Sequence, residues 1–480
     1  MAVAVAVVVK AKRNKTTIRM NPADCLKQGL PSLKRAEAQE VMVYFDPNII
    51  KMEVDKYVWF YSPASHEFLK IKREDHEVLS LIEYIIATKG VINLGALKTY
   101  SEWIFRIKRV KIEELLDAIC KLKRIFYLEK NQYLASIEKI KKIYNDTAFR
   151  LWRVYLHITH RCNFNCWYCY NHQITKDKNV ELDAIRWQEI VIKLIRRGVR
   201  DFVITGGEPL LRWQDLYEIL KKTRKEDANF TILTNGSLFS ELIFKRLAPF
   251  VTRFVISLDS FSLKVQGTNR SPTGFKKIIR ALELFAKHAP EKLTIRSVVT
   301  QNNLHEIDEI RSKLKEKFGI SNYETVIFLP NKPQEIKLIP RLPMVVNIDD
   351  TYPDWFRKFS LLKYKCGAGS QIIAVDCRGD IYPCQNFVEE KKFKLGNMLN
   401  DDWYKSILYS SVSRLFCNLS VDNIKSCKDC SYRYLCGGGC PAISWRIYKS
   451  LNHHLPFLCD HLKYEAKLRL ANAFTYKVEI

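Results

Sequence analysis

Thr159-His160-Arg161-Cys162-Asn163-Phe164-Asn165-Cys166-Trp167-Tyr168-Cys169 follows directly on an apolar run, 154–159, and sets three cysteines in a C-x3-C-x2-C spacing on a loop. Three thiolates so close together can cap three irons of a cubane and leave the fourth iron open to a substrate or cofactor. A zinc loop is the alternative, but tetrahedral zinc takes four ligands, usually in paired spacing. Outward from this stretch the chain alternates strands and helices. The strand candidates are 154–159, 202–205, 230–234, 253–257, 293–300 and 324–328; the helical patterns between them are 182–197, 213–223, 238–247, 275–287 and 304–318. Such an order predicts a parallel, barrel-like β/α sheet whose ligands gather at the carboxyl ends of the strands. The cysteine loop lies at that end. So does Thr205-Gly206-Gly207-Glu208-Pro209, where two glycines let a backbone approach a ligand and a carboxylate can take an ammonium group.

A cysteine triplet after the first strand, followed by Gly206-Gly207-Glu208 after the second, resembles the radical S-adenosylmethionine (radical SAM) family. The resemblance implies a partial (β/α)6 barrel of the TIM type over 150–330. It also implies a [4Fe-4S] cluster on Cys162, Cys166 and Cys169, whose open iron chelates SAM for reductive cleavage to a 5′-deoxyadenosyl radical. Gly206, Gly207 and Glu208 would hold the SAM amino group, Tyr168 would lie against the adenine, and Ser257 and Asp259 would reach the ribose or methionine moiety. Arg270 matches an arginine of many relatives, although Asn269 and Ser271 flank it here where an acid and a glycine are usual. Asn235, in Thr234-Asn235-Gly236, suits a turn before a helix.

After the Pro-containing stretch 330–353 comes a turn-rich unit, 360–465, in which Cys366, Cys384, Cys427, Cys430, Cys436, Cys440 and Cys459 fit the spacing of the SPASM domain. That domain holds two auxiliary [4Fe-4S] clusters. By the same resemblance Cys366, Cys384 and Cys440 would bind the nearer cluster, and Cys427, Cys430, Cys436 and Cys459 the farther one. Cys366 and Cys384 flank an apparent hairpin, 372–375 and 380–382, that can bring them together. Either Cys377 or an open iron is left for the fourth position of the nearer cluster. Cys25, Cys120 and Cys417 fit no pattern and read as buried thiols.

Residues 1–40 are basic and weakly periodic, a lead-in. The stretch 41–135 combines strand-like runs at 41–45, 57–61, 68–71 and 125–128 with amphipathic stretches at 76–88, 101–109 and 111–122, an α+β pattern of the winged-helix type. Such a module resembles the precursor-recognition element of peptide maturases, in which a leader peptide adds to a sheet edge. Segments such as Gly379-Asp380-Ile381-Tyr382-Pro383-Cys384 and Cys436-Gly437-Gly438-Gly439-Cys440-Pro441 are similar to those of thioether-forming maturases of the ranthipeptide and sactipeptide type. The expected partners are a ribosomal precursor peptide and a reductant such as flavodoxin or ferredoxin. The charge agrees: 78 Lys and Arg against 52 Asp and Glu give +26, which favours an acidic leader. Fourteen cysteines without an export signal argue for metal ligands in a reduced cytoplasm rather than a disulfide framework. No apolar run approaches the ~20 residues of a membrane span. Other SPASM reactions remain as rivals: formylglycine formation in a sulfatase, peptide tailoring toward a quinone cofactor, and side-chain modification of a tetrapyrrole. An iron–sulfur DNA-binding sensor is a remote one, since Glu113, Glu114 and Asp117 interrupt the charge where a recognition helix would lie. No catalytic acid or base is assigned.

Overall fold

The computed structural model describes residues 5–10, 40–45, 50–54, 57–62, 67–73, 91–93, 151–171, 181–262, 272–341, 366–430 and 432–475. In the N-terminal part, strands β1 (Val5–Lys10), β2 (Glu40–Phe45) and β6 (Val91–Asn93) form one antiparallel sheet. Strands β3 (Ile50–Val54), β4 (Tyr57–Ser62) and β5 (Glu67–Lys72) form another. Within the stretch read as a lead-in, Val5 to Lys10 pairs residue by residue with Phe45 to Glu40. The amphipathic stretches 76–88, 101–109 and 111–122, the run 125–128, and Cys25 and Cys120 lie outside the described residues.

The central sheet contains β7 (Arg153–Thr159), β8 (Asp201–Gly206), β9 (Asn229–Thr234), β10 (Arg253–Ser257), β11 (Leu293–Val299) and β12 (Tyr323–Ile327), parallel and ordered as in the sequence. Pleating sends Val154, Leu156 and Ile158 of β7 into the core beneath the helices and Tyr155, His157 and Thr159 to the opposite face. Helix α1 (Ala184–Arg196) begins where Asp183 accepts the Arg186 N–H at 2.8 Å, and buries Trp187, Ile190, Val191, Leu194 and Ile195 along one stripe. Helices α2 (Trp213–Lys222), α3 (Glu241–Leu247), α4 (Pro272–His288) and α5 (Ile307–Phe318) complete the crossovers. Phe202 of β8 stacks on its cross-strand neighbour Phe230 of β9 at 5.1 Å.

The sheet does not stop at six strands. Strand β13 (Ile372–Val375) pairs in parallel with β7, Ile372 opposite Arg153, and continues through β14 (Asp380–Tyr382) to β15 (Gly396–Asn397). The cysteine-rich region, expected as a separate unit, thus shares a nine-stranded sheet with the barrel. Its helices are short: α6 (Trp403–Tyr409), α7 (Ser411–Cys417), α8 (Arg433–Cys436) and α9 (Pro441–Tyr448), before the longer α10 (Cys459–Thr475). It also has a small core of its own, where Phe387, Phe393, Phe416 and Trp445 meet edge to face at 4.9–5.1 Å. No described helix is long and apolar enough to cross a membrane.

Candidate iron–sulfur and cofactor site

The cysteine loop leaves β7 pressed against the end of β8. Gly207 N–H donates to Thr159 O and Glu208 N–H to Arg161 O, each at 2.8 Å. A Cβ on Gly206, which has φ +123°, would lie 2.2 Å from Thr159 O, and one on Gly207 would lie 2.0 Å from Arg161 O. Approach of the cysteine loop itself therefore requires both glycines. Arg161 makes a bidentate pair with Glu181, Nε to Oε1 at 3.2 Å and Nη2 to Oε2 at 2.8 Å, and Thr159 Oγ1 donates to the same carboxylate. Burial pushes the Glu181 carboxyl up, but these bonds and the Arg212 charge outweigh it and hold it below the usual range.

The far side of the loop is pinned as well. Asn235 Nδ2 donates to Asn163 Oδ1 at 2.9 Å and lies 4.0 Å from Cys162 Sγ, while Asn163 Nδ2 donates to Ser237 Oγ at 2.8 Å. Glu208 is fully buried and accepts from Leu210 N–H, Thr234 Oγ1 and Asn235 N–H at 2.7–3.0 Å, so it braces the 234–236 turn. Ser257 stands half-buried at the carboxyl end of β10. Asp259, expected to reach the ribose or methionine moiety, is fully buried and accepts from the Tyr168 hydroxyl and from Val298 N–H. Cys162, Cys166 and Cys169 are half-buried around this frame, an accessible donor set suited to a capping cluster. Arg270 lies outside the described residues.

In the cysteine-rich region the thiols fall into two electrostatic groups. Burial pushes the Cys384 thiol well above its ordinary value, and Cys366 and Cys440 push it further. Burial also pushes Cys427 up to about 11, helped by Cys436, Cys430 and Cys459. Crowded, desolvated thiols resist becoming thiolates on their own, and bound iron relieves that conflict, so these donors fit clusters. A small cleft borders the first group, lined by Cys366, Cys440, Gly438, Ser420, Ser444 and His453 among others.

Residues 156–314 match the model of the radical SAM superfamily, and residues 366–431 match that of the SPASM iron–sulfur cluster-binding domain. The chain carries a radical SAM enzyme domain. It is 25% identical to a cysteine-type anaerobic sulfatase-maturating enzyme of Clostridium perfringens over 58% of this chain and 85% of that one. It is 21% identical to the radical SAM cyclopropyl synthase TigE of Paramaledivibacter caminithermalis over 84% and 92%. The solved structure of Streptococcus suis SuiB bound to its precursor peptide SuiA superposes with a TM-score of 0.50 at 16% identity, covering 85% of this chain and 97% of that one, a likeness of fold.

The hairpin register bears on Cys377. Ala374 pairs with Tyr382, which sets Ile372 opposite Cys384 and carries Cys377 to the far end of the hairpin. Five residues of strand separate the two cysteines, about 17 Å at ~3.4 Å per residue. Cys377 is buried beside Asp376 and Glu181, and its carbonyl accepts Leu182 N–H at 2.8 Å, so it stands away from the Cys366 group. Several residues of the site escaped the sequence. Asn171 donates to Gly206 O at 2.6 Å, and His454 Nε2 lies 3.0 Å from Cys459 Sγ. Fully buried His157, on the inner face of β7, packs edge-on to His160 and Tyr170. Only proximity to a cysteine could have flagged Asn171 and His454. Nothing local marks His157.

Proposed function

We propose that this enzyme installs a thioether cross-link in a ribosomally made precursor peptide, joining a cysteine sulfur to a carbon of the same peptide. The reading is supported most by the Cys366, Cys384 and Cys440 group, which borders a cleft and, with Cys377 at the other end of the hairpin, has three ligands for a four-iron cluster. A substrate thiolate suits that open position. When bound, the loop cluster and SAM would supply a 5′-deoxyadenosyl radical to take a hydrogen atom from a peptide carbon; as the thiolate, having lost its proton, bonds to that carbon, the surplus electron would pass to the auxiliary cluster beside it.

The chain's own residues position that chemistry. Cys162, Cys166 and Cys169 would carry the SAM-binding cluster; Tyr168, Gly206, Gly207, Glu208 and Ser257 would surround SAM, with Asp259 behind Tyr168; and Cys427, Cys430, Cys436 and Cys459 would carry the third cluster. Two β-sheets in the N-terminal part supply strand edges to which an extended leader can add, in keeping with a winged-helix-like recognition module and with the precursor bound in the SuiB structure.

The decisive experiment incubates the reconstituted enzyme, SAM and reductant with a candidate precursor, then measures its mass before and after thiol alkylation. Loss of two hydrogens per cross-link together with one alkylatable thiol is expected; consumption of SAM with unchanged peptide mass overturns the proposal. A second reading, carbon–carbon ring closure, is favoured by the 84% of the chain that aligns with the cyclopropyl synthase. It would give the same mass loss with every thiol retained.

A further inference from the structure

We infer that Asp259 is a positioning residue that acts on the cofactor site through Tyr168, not by touching the cofactor itself. The carboxylate is fully buried just past the end of β10, where one oxygen accepts the Tyr168 hydroxyl and the other accepts Val298 N–H of β11 at 3.0 Å. Its backbone is held too: Asn303 Nδ2 donates to Asp259 O and to Val298 O, each at 3.0 Å, and Asn303 Oδ1 accepts Thr300 N–H at 2.8 Å. Asp259 is therefore a fixed point, with both its main chain and its side chain tied to the end of β11.

Its partner Tyr168 lies one residue before Cys169 on the cysteine loop. Its ring meets Trp167 edge-on at 5.3 Å, and Trp167 in turn packs on Phe328 at 5.5 Å. Those apolar contacts hold the ring body, and Cys169 N–H donates to Cys166 O at 3.1 Å. The bond to Asp259 ties the hydroxyl end of the ring to the ends of β10 and β11. A charged acceptor makes such a bond short and directional, which suits it to fixing a loop. Asp259 is wholly enclosed and meets the cysteine loop at the Tyr168 hydroxyl.

The inference rests on the SAM site and not on the fate of the peptide, so its test contains no peptide. Asp259→Asn, Tyr168→Phe and the double variant are reconstituted with iron and sulfide. SAM affinity is read from the change that SAM makes in the electron paramagnetic resonance signal of the reduced cluster, and the thermal midpoint is measured alongside. Each single variant should weaken SAM binding about tenfold, as expected for losing one charge-assisted hydrogen bond that orders a site. The double variant should be no weaker than the worse single one. Multiplication of the two effects, to about a hundredfold, would show Asp259 acting independently of Tyr168 and overturn the inference. Unchanged SAM affinity with a lowered thermal midpoint would overturn it as well. Tyr168→Phe deletes only a hydroxyl and carries the test alone if Asp259→Asn does not assemble its cluster: unaltered affinity in that variant overturns the proposal.

Discussion

The two cysteine-bearing regions are built on opposite plans. At the carboxyl end of β7 the backbone does the work: glycines admit the loop, Arg161 and Glu181 clamp it, Asn235 and Asn163 tie its far side, and beneath lies an extensive aliphatic core. Between Cys366 and Cys459 the elements are short turns, 3-10 segments and helices of four to eight residues, around a small aromatic cluster. There the thiols press on one another within protein that disfavours their charge. One region holds its geometry before iron arrives; the other is completed by it.

The sharpest way to break this contrast is Cys162→Ala, which should reduce 5′-deoxyadenosine formation from SAM to background while the circular dichroism of the sheet is retained. Melting of the barrel in this variant would show that iron, not packing, holds the first region. Next in size is removal of iron by chelation, followed by amide exchange. Amides over 427–459 should exchange at least about a hundredfold faster, whereas those of β7 to β12 keep most of their protection. Uniform loss of protection would merge the two plans into one.

Acid titration separates them differently. Burial, reinforced by His160, holds His157 at about 3, against an ordinary value of 6.5. The unfolded chain then binds the proton more readily than the folded one. The stability contributed by neutral His157 is thus complete above pH ~6.5 and lost as pH falls toward 3, a cost on the order of a few kcal/mol. His157→Phe should flatten the acid limb of a stability–pH curve measured by denaturant unfolding; an unchanged limb would place the acid lability elsewhere. The smallest effect is expected from Cys377→Ala. Iron content should match the wild type, with a stability loss of about 1 kcal/mol for a small buried side chain; loss of one cluster's iron would return Cys377 to the ligand set.

How much of this was legible in the sequence follows the same division. Val154, Leu156 and Ile158 alternate and Trp187, Ile190, Val191 and Leu194 recur at helical spacing because each element buries one face, and local periodicity records burial. The six strands and five helices accordingly appear within a few residues of their predicted places; α3 starts at Glu241 rather than 238 because Ser240 caps it. Pairing of β13 with β7 was invisible, since a parallel contact between residues more than two hundred apart leaves no local trace. The same holds for Asp259 and Tyr168, 91 residues apart, and for the true position of Cys377, which depends on hairpin register rather than on cysteine spacing.

That pairing of β13 with β7 bears on how far this protein can be treated as interchangeable parts. A chain cut after β12 would leave the backbone groups of β7 unsatisfied along one side, a ready template for another molecule's strand. Aggregation, not a soluble half-enzyme, is the expected fate of such a truncation. Anyone grafting a cysteine-rich region from another protein onto this barrel would have to supply a matching strand in the right register, or the cluster loop at the end of β7 would lose its neighbour as well. The barrel and its cysteine-rich extension would have to travel together.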